Sequence, residues 1–467
     1  MGFKARRVAY GLGNLGVALF YHAIGAYLIY FYVDVVRLDP ALVGLAVSTA
    51  YGIWNAVNDP LVGYLSDRTK SRWGRRIPYI MFGTPLAALL FALVWTPPAP
   101  EPLGESYDLA MLAYLAVVLA LFDLAYTAVS VPYISLFPEM FEDLAERAEV
   151  SAYRQVSAMA GCILAFALTP ILASQFSNWL GRVRGWSITG AVLGLIGCAA
   201  LLTSLLGSRE RREFWSEPQP PLLKAFKTTF SNRTFLAFEA ANLMICYVWS
   251  WLSAMVPFIA KYALGVSEGE VSILFLAMFL SCAALYPLWR RYAVRHGSKE
   301  TLVISTTLFV LLLSPFLVVR ELWQAVLVML ALGAANSGIT LVREVVLSDV
   351  IDEDELMTGA RREGMYFGVN AFIERFSMVL VGASSASVFK LSGYSPVLKR
   401  QPPTVELGVR LSVVLLPLVA LVVFLLAMRF YPLTRDKVVE LRRRLNELHE
   451  RKARRLAGEV LLNDFEA

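Results

Sequence analysis

The feature that most constrains this chain is a series of long apolar runs, each about as long as a bilayer is thick. They fall at 8–33, 42–65, 78–96, 108–138, 152–175, 185–207, 235–262, 270–289, 301–319, 322–347, 366–391 and 408–430. A spanning helix needs about 20 mostly apolar residues. In lipid only helices and closed barrels satisfy every backbone polar group. Runs this long without strict alternation exclude the barrel. The sequence therefore predicts an all-α membrane protein with twelve transmembrane helices. Composition agrees: of 467 residues, 57% are apolar and 17% charged, against roughly 45–50% and roughly 25% in soluble domains. That disfavours a soluble enzyme, a nucleic-acid-binding protein and a disordered scaffold.

The net charge of +6 matters less than its placement. Short loops rich in Lys and Arg mark the cytoplasmic side. One such loop carries Arg68, Lys70, Arg72, Arg75 and Arg76, and another Arg290, Arg291, Arg295 and Lys299. The central segment adds Arg209, Arg211, Arg212, Lys224, Lys227 and Arg233, whereas the loop at 97–107 has Glu101 and Glu105 and no base. Arg182, Arg184, Lys399 and Arg400 run against the trend. Both termini are expected in the cytoplasm, with the chain in the plasma (inner) membrane. The first apolar run is too long for a signal-peptide core and is expected to remain as the first helix. The four cysteines lie inside apolar runs without metal-ligand spacing, and three scattered histidines add no cluster. No cofactor and no transition metal are expected.

The polar segment 208–234 divides the chain into six-helix bundles at 1–207 and 235–430, followed by a tail at 431–467. The loops at 67–76 and 289–299 occupy matching places in the two halves. Related halves are a transporter signature, with the solute site between them near the midplane. Basic cytoplasmic loops are also common to any multi-pass protein. In the tail, Val438, Leu441, Leu445 and Leu448 recur at helical spacing. They make an amphipathic helix that lies on the inner leaflet, packs on the cytoplasmic loops, or stays solvated.

The segment Asn55 to Arg76, with Asn58-Asp59-Pro60-Leu61-Val62-Gly63 and Ser71-Arg72-Trp73-Gly74-Arg75-Arg76, resembles the glycoside–pentoside–hexuronide cation symporter family. That melibiose permease-like family belongs to the major facilitator superfamily. Further stretches are similar to it: Ala125-Tyr126-Thr127 through Ser130-Val131-Pro132-Tyr133, Tyr153-Arg154, Ser348-Asp349 through Asp352, Thr358 through Gly364, and Tyr431-Pro432-Leu433-Thr434. The resemblance spans almost the whole chain. It implies two pseudo-symmetric six-helix bundles in the major facilitator fold, and cation-coupled uptake of a solute by alternating access.

Asp59 stands mid-helix in an apolar run, where a charge is costly and marks function by default. A carboxyl that alternates between neutral and ionised forms can couple proton movement to solute movement. A structural ion pair is the alternative. The resemblance makes Asp59 the shared cation ligand and completes the site with Asn58 and Thr127, oxygen donors suited to a hard cation. Family members that use sodium commonly have an aspartate where this chain has Asn55, one turn before Asp59. One remaining carboxyl favours H+ over Na+. Asp123 sits one turn before Thr127 as Asn55 sits before Asp59. It is expected either to replace the second carboxylate, so that Na+ binds at Asp59, or to be a structural partner of another helix.

Arg375 matches a family lysine near the cation site. It is expected to neutralise Asp59 or Asp123, to bind an anionic solute group, or to pair with Glu374 or Glu344. Arg154 matches the family's solute-site arginine, with a loop pair to Glu146 or Glu149 as competitor. Tyr126, Ser130, Asn14 and His22 complete the expected solute lining. The family's sugar-binding aspartates are missing, since Val17-Ala18 and Ser130 stand in their places. A sugar or glycoside is the expected solute, and an amphipathic lysophospholipid the alternative. Asp67, Arg68, Arg75 and Arg76 are expected to gate the cytoplasmic side with Asp349, Asp352, Arg361 and Arg362. Arg343 and Glu344 are expected to crowd the same inner end. As exposed ion pairs these are expected to contribute ~0–1 kcal/mol each. Expected partners are the solute, the coupling cation and membrane lipid, with no nucleic acid and a monomeric carrier. A receptor or channel is the rival class, but neither a repeated pore segment nor a ring of charge is seen.

Overall fold

The computed structural model describes residues 2–38, 40–48, 54–98, 105–210, 221–265, 268–394 and 401–466. Glu101, most of the central linker, Lys399 and Arg400 lie outside the described residues, as do the side chains of Asn55, Glu105 and 453–466. The first part of the chain forms α1 (Phe3–Tyr30), α2 (Pro40–Ser48), α3 (Asn55–Arg68), α4 (Ile77–Val94), α5 (Glu105–Met140), α6 (Leu144–Ile163), α7 (Thr169–Leu180) and α8 (Arg182–Ser204). A short α9 (Leu222–Ser231) follows. Then come α10 (Arg233–Ile259), α11 (Glu268–His296), α12 (Ser298–Leu311), α13 (Leu322–Thr358), α14 (Glu363–Ser392), α15 (Pro403–Phe430) and α16 (Arg435–Glu466).

Among the described residues, eleven helical stretches are long and apolar enough to cross a membrane. The expected second span, 42–65, is the difference. It is delivered as α2 and α3 on either side of residues 49–53, which lie outside the described residues. Pro60 inside α3 removes one backbone donor, and such a helix leans on neighbours to satisfy the freed carbonyl. α6 and α7 act as one span, joined through a π turn at Leu164–Leu168 just before Pro170. α13 extends to Thr358, well past the apolar run that ends at 347. Its charged end stays helical because Asp349, Asp352, Asp354 and Glu355 are buried against partners.

Two apolar cores form, one drawn from Leu19 to Leu201 and the other from Phe235 to Val438 with Tyr64. The halves meet where α3 packs on α14 and where α6 packs on α11 and α13. Glycines make the first contact possible. A Cβ at Gly63 would stand 2.1 Å from the Gly364 carbonyl oxygen, and one at Gly368 would stand 2.6 Å from that of Asp59. Gly364 and Gly368 form the small-xxx-small spacing that lets membrane helices approach backbone to backbone. This contact sets α14 against the functional stretch of α3. The described part of the tail docks one face onto the protein. Val438, Leu441 and Leu445 of α16 are buried, Leu448 is half-buried, and the helix packs on α13.

Candidate functional site

The polar cluster at the middle of α3 is built from one helix turn and its neighbours. Asn58 and Asp59 follow one another and so point to different partners. Asp59 is buried; the Thr127 hydroxyl of α5 donates to one carboxylate oxygen at 3.0 Å, and Arg375 of α14 donates to the other at 2.6 Å. The Asn58 amide donates to Asp123 of α5 at 2.8 Å and to Thr127 at 3.3 Å. The Asn58 side-chain carbonyl is buried with no hydrogen bond. Asp59, Asn58, Thr127 and Asp123 thus meet in one network, and Asp123 faces α3. Three oxygen-bearing side chains and an unbonded amide oxygen are the donor set a hard cation takes. Arg375 pairs with Asp59 across the two halves, not with Glu374 or Glu344.

A cavity of about 210 Å³ lies between the halves. Asn14, Ser130 and Arg154 line it from one side, and Arg343, Glu344, Asn370 and Glu374 from the other, among apolar residues such as Phe238 and Phe367. Arg154 is buried and paired with Glu344 of α13 across the cavity. Its guanidinium lies 5.1 Å from the Phe137 ring centre and 5.4 Å from that of Tyr133, a cation–π setting. Asn14 donates to the Arg154 carbonyl at 3.1 Å. Glu146 and Glu149, expected as competitors, pair with Arg7 instead. Arg343 and Glu344, expected at the inner gate, line this cavity because α13 runs about four turns past them. Arg343 pairs with Glu374 at 3.2 Å.

Three of the expected solute-site residues lie outside the cavity wall: Arg375, held at Asp59, and two aromatic side chains. The Tyr126 hydroxyl donates to the Val17 carbonyl at 3.3 Å, and the ring packs on Phe122. His22 packs between Tyr21 and Phe166. Neither is part of the cavity wall. Tyr126 packs against the first half's own core, a choice of helix face that spacing alone does not make. Beneath the cavity, Tyr10, Tyr133, Leu136, Phe137, Val150 and Val345 form an apolar plug. Tyr10 and Tyr133 each donate to the other's backbone carbonyl, at 2.8 and 2.7 Å.

Below the plug lies a continuous layer of ion pairs. Arg76 is fully buried and reaches Asp67 at 2.7 Å, Glu139 at 2.5 Å and Glu363 at 2.7 Å. Arg361 joins Glu363 to Glu355, the latter at 2.8 Å. Arg147 crosses between the halves to Asp349 at 3.2 Å and Asp352 at 2.8 Å. Arg75 pairs with Glu139, and Arg362 with Asp354. Asp67 also accepts the backbone N–H groups of Gly364 and Met365, at 3.1 and 3.0 Å. One half thereby caps the N-terminus of a helix of the other. Glu210 does the same for α4, accepting from Arg75, Arg76 and Ile77. It approaches closely because Gly74 has φ +120 and no Cβ.

Two expectations about this layer change. The pairs are buried, not exposed, so removing one partner leaves a charge that water cannot reach. Arg68 is outside the layer: it is exposed and bonds the Tyr64 hydroxyl. Sequence reasoning missed Glu139, Arg147, Glu210 and Glu363 as members. Glu139 and Arg147 flank the α5–α6 turn, and a charge pair beside a predicted helix end was their only signal.

The model of the MFS/sugar transport protein family matches residues 9–435. The chain belongs to this family. The chicken sodium-dependent lysophosphatidylcholine symporter 1 is 25% identical over 95% of this chain and 89% of its own. The glucuronide carrier protein homolog of Escherichia coli is 27% identical over 93% of each. Among solved structures, the proton:xylose symporter XylE superposes with a TM-score of 0.66 at 15% identity, covering 94% of this chain and 98% of its own. That likeness shows the fold. The protein is an integral multi-pass membrane transporter of the major facilitator fold, built for cation-coupled symport.

Proposed function

We propose that this symporter carries a small polar organic solute, a sugar or glycoside, together with H+, by alternating access between its halves. The coupling ion acts at Asp59, supported by Asn58, Thr127 and Asp123. The solute binds in the inter-half cavity against Asn14, Ser130, Arg154 and the C-terminal wall. The observation that carries this reading is the Asp59–Arg375 pair, a buried carboxylate of one half balanced by an arginine of the other. A cation at Asp59 takes over that balance and frees Arg375, so ion binding changes what the halves exchange across the cavity. An unbalanced charge at membrane depth is costly, which makes the ion-loaded and empty carriers prefer different arrangements.

H+ is favoured because a proton cancels the Asp59 charge without a full ligand cage, and Asn55 supplies no carboxylate. Na+ is the second reading, supported by Asp123 joined through Asn58 and by the unbonded Asn58 oxygen. Uptake into reconstituted vesicles separates them. Accumulation that follows the pH gradient and ignores Na+ at fixed pH is expected. Sodium dependence would transfer the assignment to the second reading. Asp59→Asn is expected to abolish accumulation against a gradient; uphill transport retained in that variant overturns the site.

The cavity's hydroxyl, amide and guanidinium lining supports a polar solute. The lysophosphatidylcholine symporters among the relatives support an amphipathic one as the alternative. Thermal-shift measurement against sugars, glycosides and lysolipids decides between them. The basic loop at 67–76, Arg7 and α16 lie at the same end of the molecule. By the Lys/Arg rule we assign that end, and both termini, to the cytoplasm.

A further inference from the structure

Among the described buried carboxylates, Glu239 alone leaves both oxygens without a hydrogen bond. It is 3% exposed and sits on α10, about 9 Å along the helix axis from Arg233. Asn242, one turn on, lies beside it, but both protons of that amide go elsewhere: to Asn370 at 2.9 Å and Glu374 at 3.2 Å. The charged groups that face Glu239 are Glu374 of α14 and Arg343 of α13. Arg343 is engaged with Glu374 and with the Cys246 sulfur. A second carboxylate therefore stands near Glu239, and the one nearby cation is already held. The other acids near the cavity and the α3 cluster each have a donor: Asp59 has Arg375, Asp123 has Asn58, Glu344 has Arg154 and Glu374 has Arg343.

We propose that Glu239 is a second proton-binding group of the carrier, in the half opposite Asp59. An ionised carboxylate without a hydrogen bond at this depth is very costly. A proton on either oxygen removes the charge. Glu374 lines the cavity and is the route in: a proton arriving from the cavity passes by way of the Glu374 carboxylate to Glu239, with an O–H bond broken at one and formed at the other. Release goes toward the gate end when the halves part there, because Glu239 lies near that end of α10. The inference rests on reading the cavity as the solute path, but Asp59 and Glu239 sit on separate networks.

Infrared difference spectroscopy on the purified full-length protein tests it through the carbonyl band of a protonated carboxylic acid. The wild type is expected to show this band at neutral pH. Asp59→Asn is expected to keep it, Glu239→Gln to lose it and Glu239→Asp to shift it. In vesicles, Glu239→Gln is expected to carry one proton fewer per solute. No band in the wild type, or a band unchanged in both Glu239 variants, overturns the proposal. If Glu239→Gln does not fold, the shift in Glu239→Asp still decides. Uphill transport retained in Asp59→Asn would instead sink the cation-site reading and leave this one standing.

Discussion

At the scale of single residues, burial decides which charges matter. Arg68 and Arg76 stand in one basic loop and look equivalent in the sequence. Arg68 faces water, whereas Arg76 is sealed among Asp67, Glu139 and Glu363. Arg76→Gln removes the one cation paired with Asp67 and a cation shared by Glu139 and Glu363, and is expected to destabilise the fold by ~3–5 kcal/mol. Arg68→Ala is expected to stay within about 0.5 kcal/mol. Thermal unfolding of the two variants in detergent, side by side, checks the contrast; equal midpoints would contradict the buried layer. Asp59 and Glu239 give the same lesson for acids. Each is one carboxylate in an apolar helix, yet one is paired with an arginine and the other with no cation.

At the scale of helices, two contacts shape the end that holds the ion-pair layer. α3 and α14 touch backbone to backbone through Gly63, Gly364 and Gly368. Gly63→Ala drives a methyl into a carbonyl oxygen and is expected to force the helices apart at the inner end. In a background without the four native cysteines, a cysteine replacing Ser66 reports this. It is buried in the parent and is expected to gain maleimide reactivity in the glycine variant. The second contact is α16. His449 sits between Glu142, after α5, and Glu355 of α13, at 3.0 and 2.9 Å. Lys452 also reaches Glu355, and Arg442 reaches Asp349. Burial pushes His449 toward its neutral form, but its hydrogen bonds to Glu142 and Glu355 and the charge of Glu355 outweigh this and raise its pKa. The latch is thus complete below the ordinary histidine value and weakens as pH rises through the raised one. Labelling at the buried gate is expected to increase over that window in the parent. It is expected to be independent of pH there in His449→Gln.

At the scale of the whole molecule, the halves are joined at the end that holds the ion-pair layer. Buried ion pairs, the plug around Tyr133 and Val345, and α16 all span both halves at that end. The Ser151 hydroxyl of α6 donates to the Leu341 carbonyl of α13 at 2.7 Å. Cysteines at these two positions, joined by a cleavable bifunctional thiol reagent, are expected to arrest solute exchange, with full recovery after cleavage. Exchange that continues while the link is intact would show that the halves need not part here.

The apolar runs determined the helices by themselves, because each run is as long as a bilayer is thick and lipid leaves the backbone no other solution. Asp59 was legible as a charge interrupting an apolar run, since a charged group in lipid is too costly to be incidental, whereas Asn58, Thr127 and the place of Arg375 came from the family resemblance. Partners were another matter. Whether Asp123 faces α3, whether Arg154 meets Glu344 or a loop acid, and whether Tyr126 lines the cavity all depend on helix rotation. Apolar residues lie on every face of these helices, so periodicity does not fix that rotation. The ion-pair layer was legible as a crowd of charges but not as a buried lattice. Its burial comes from glycine contacts and a docked tail that only the tertiary structure brings together.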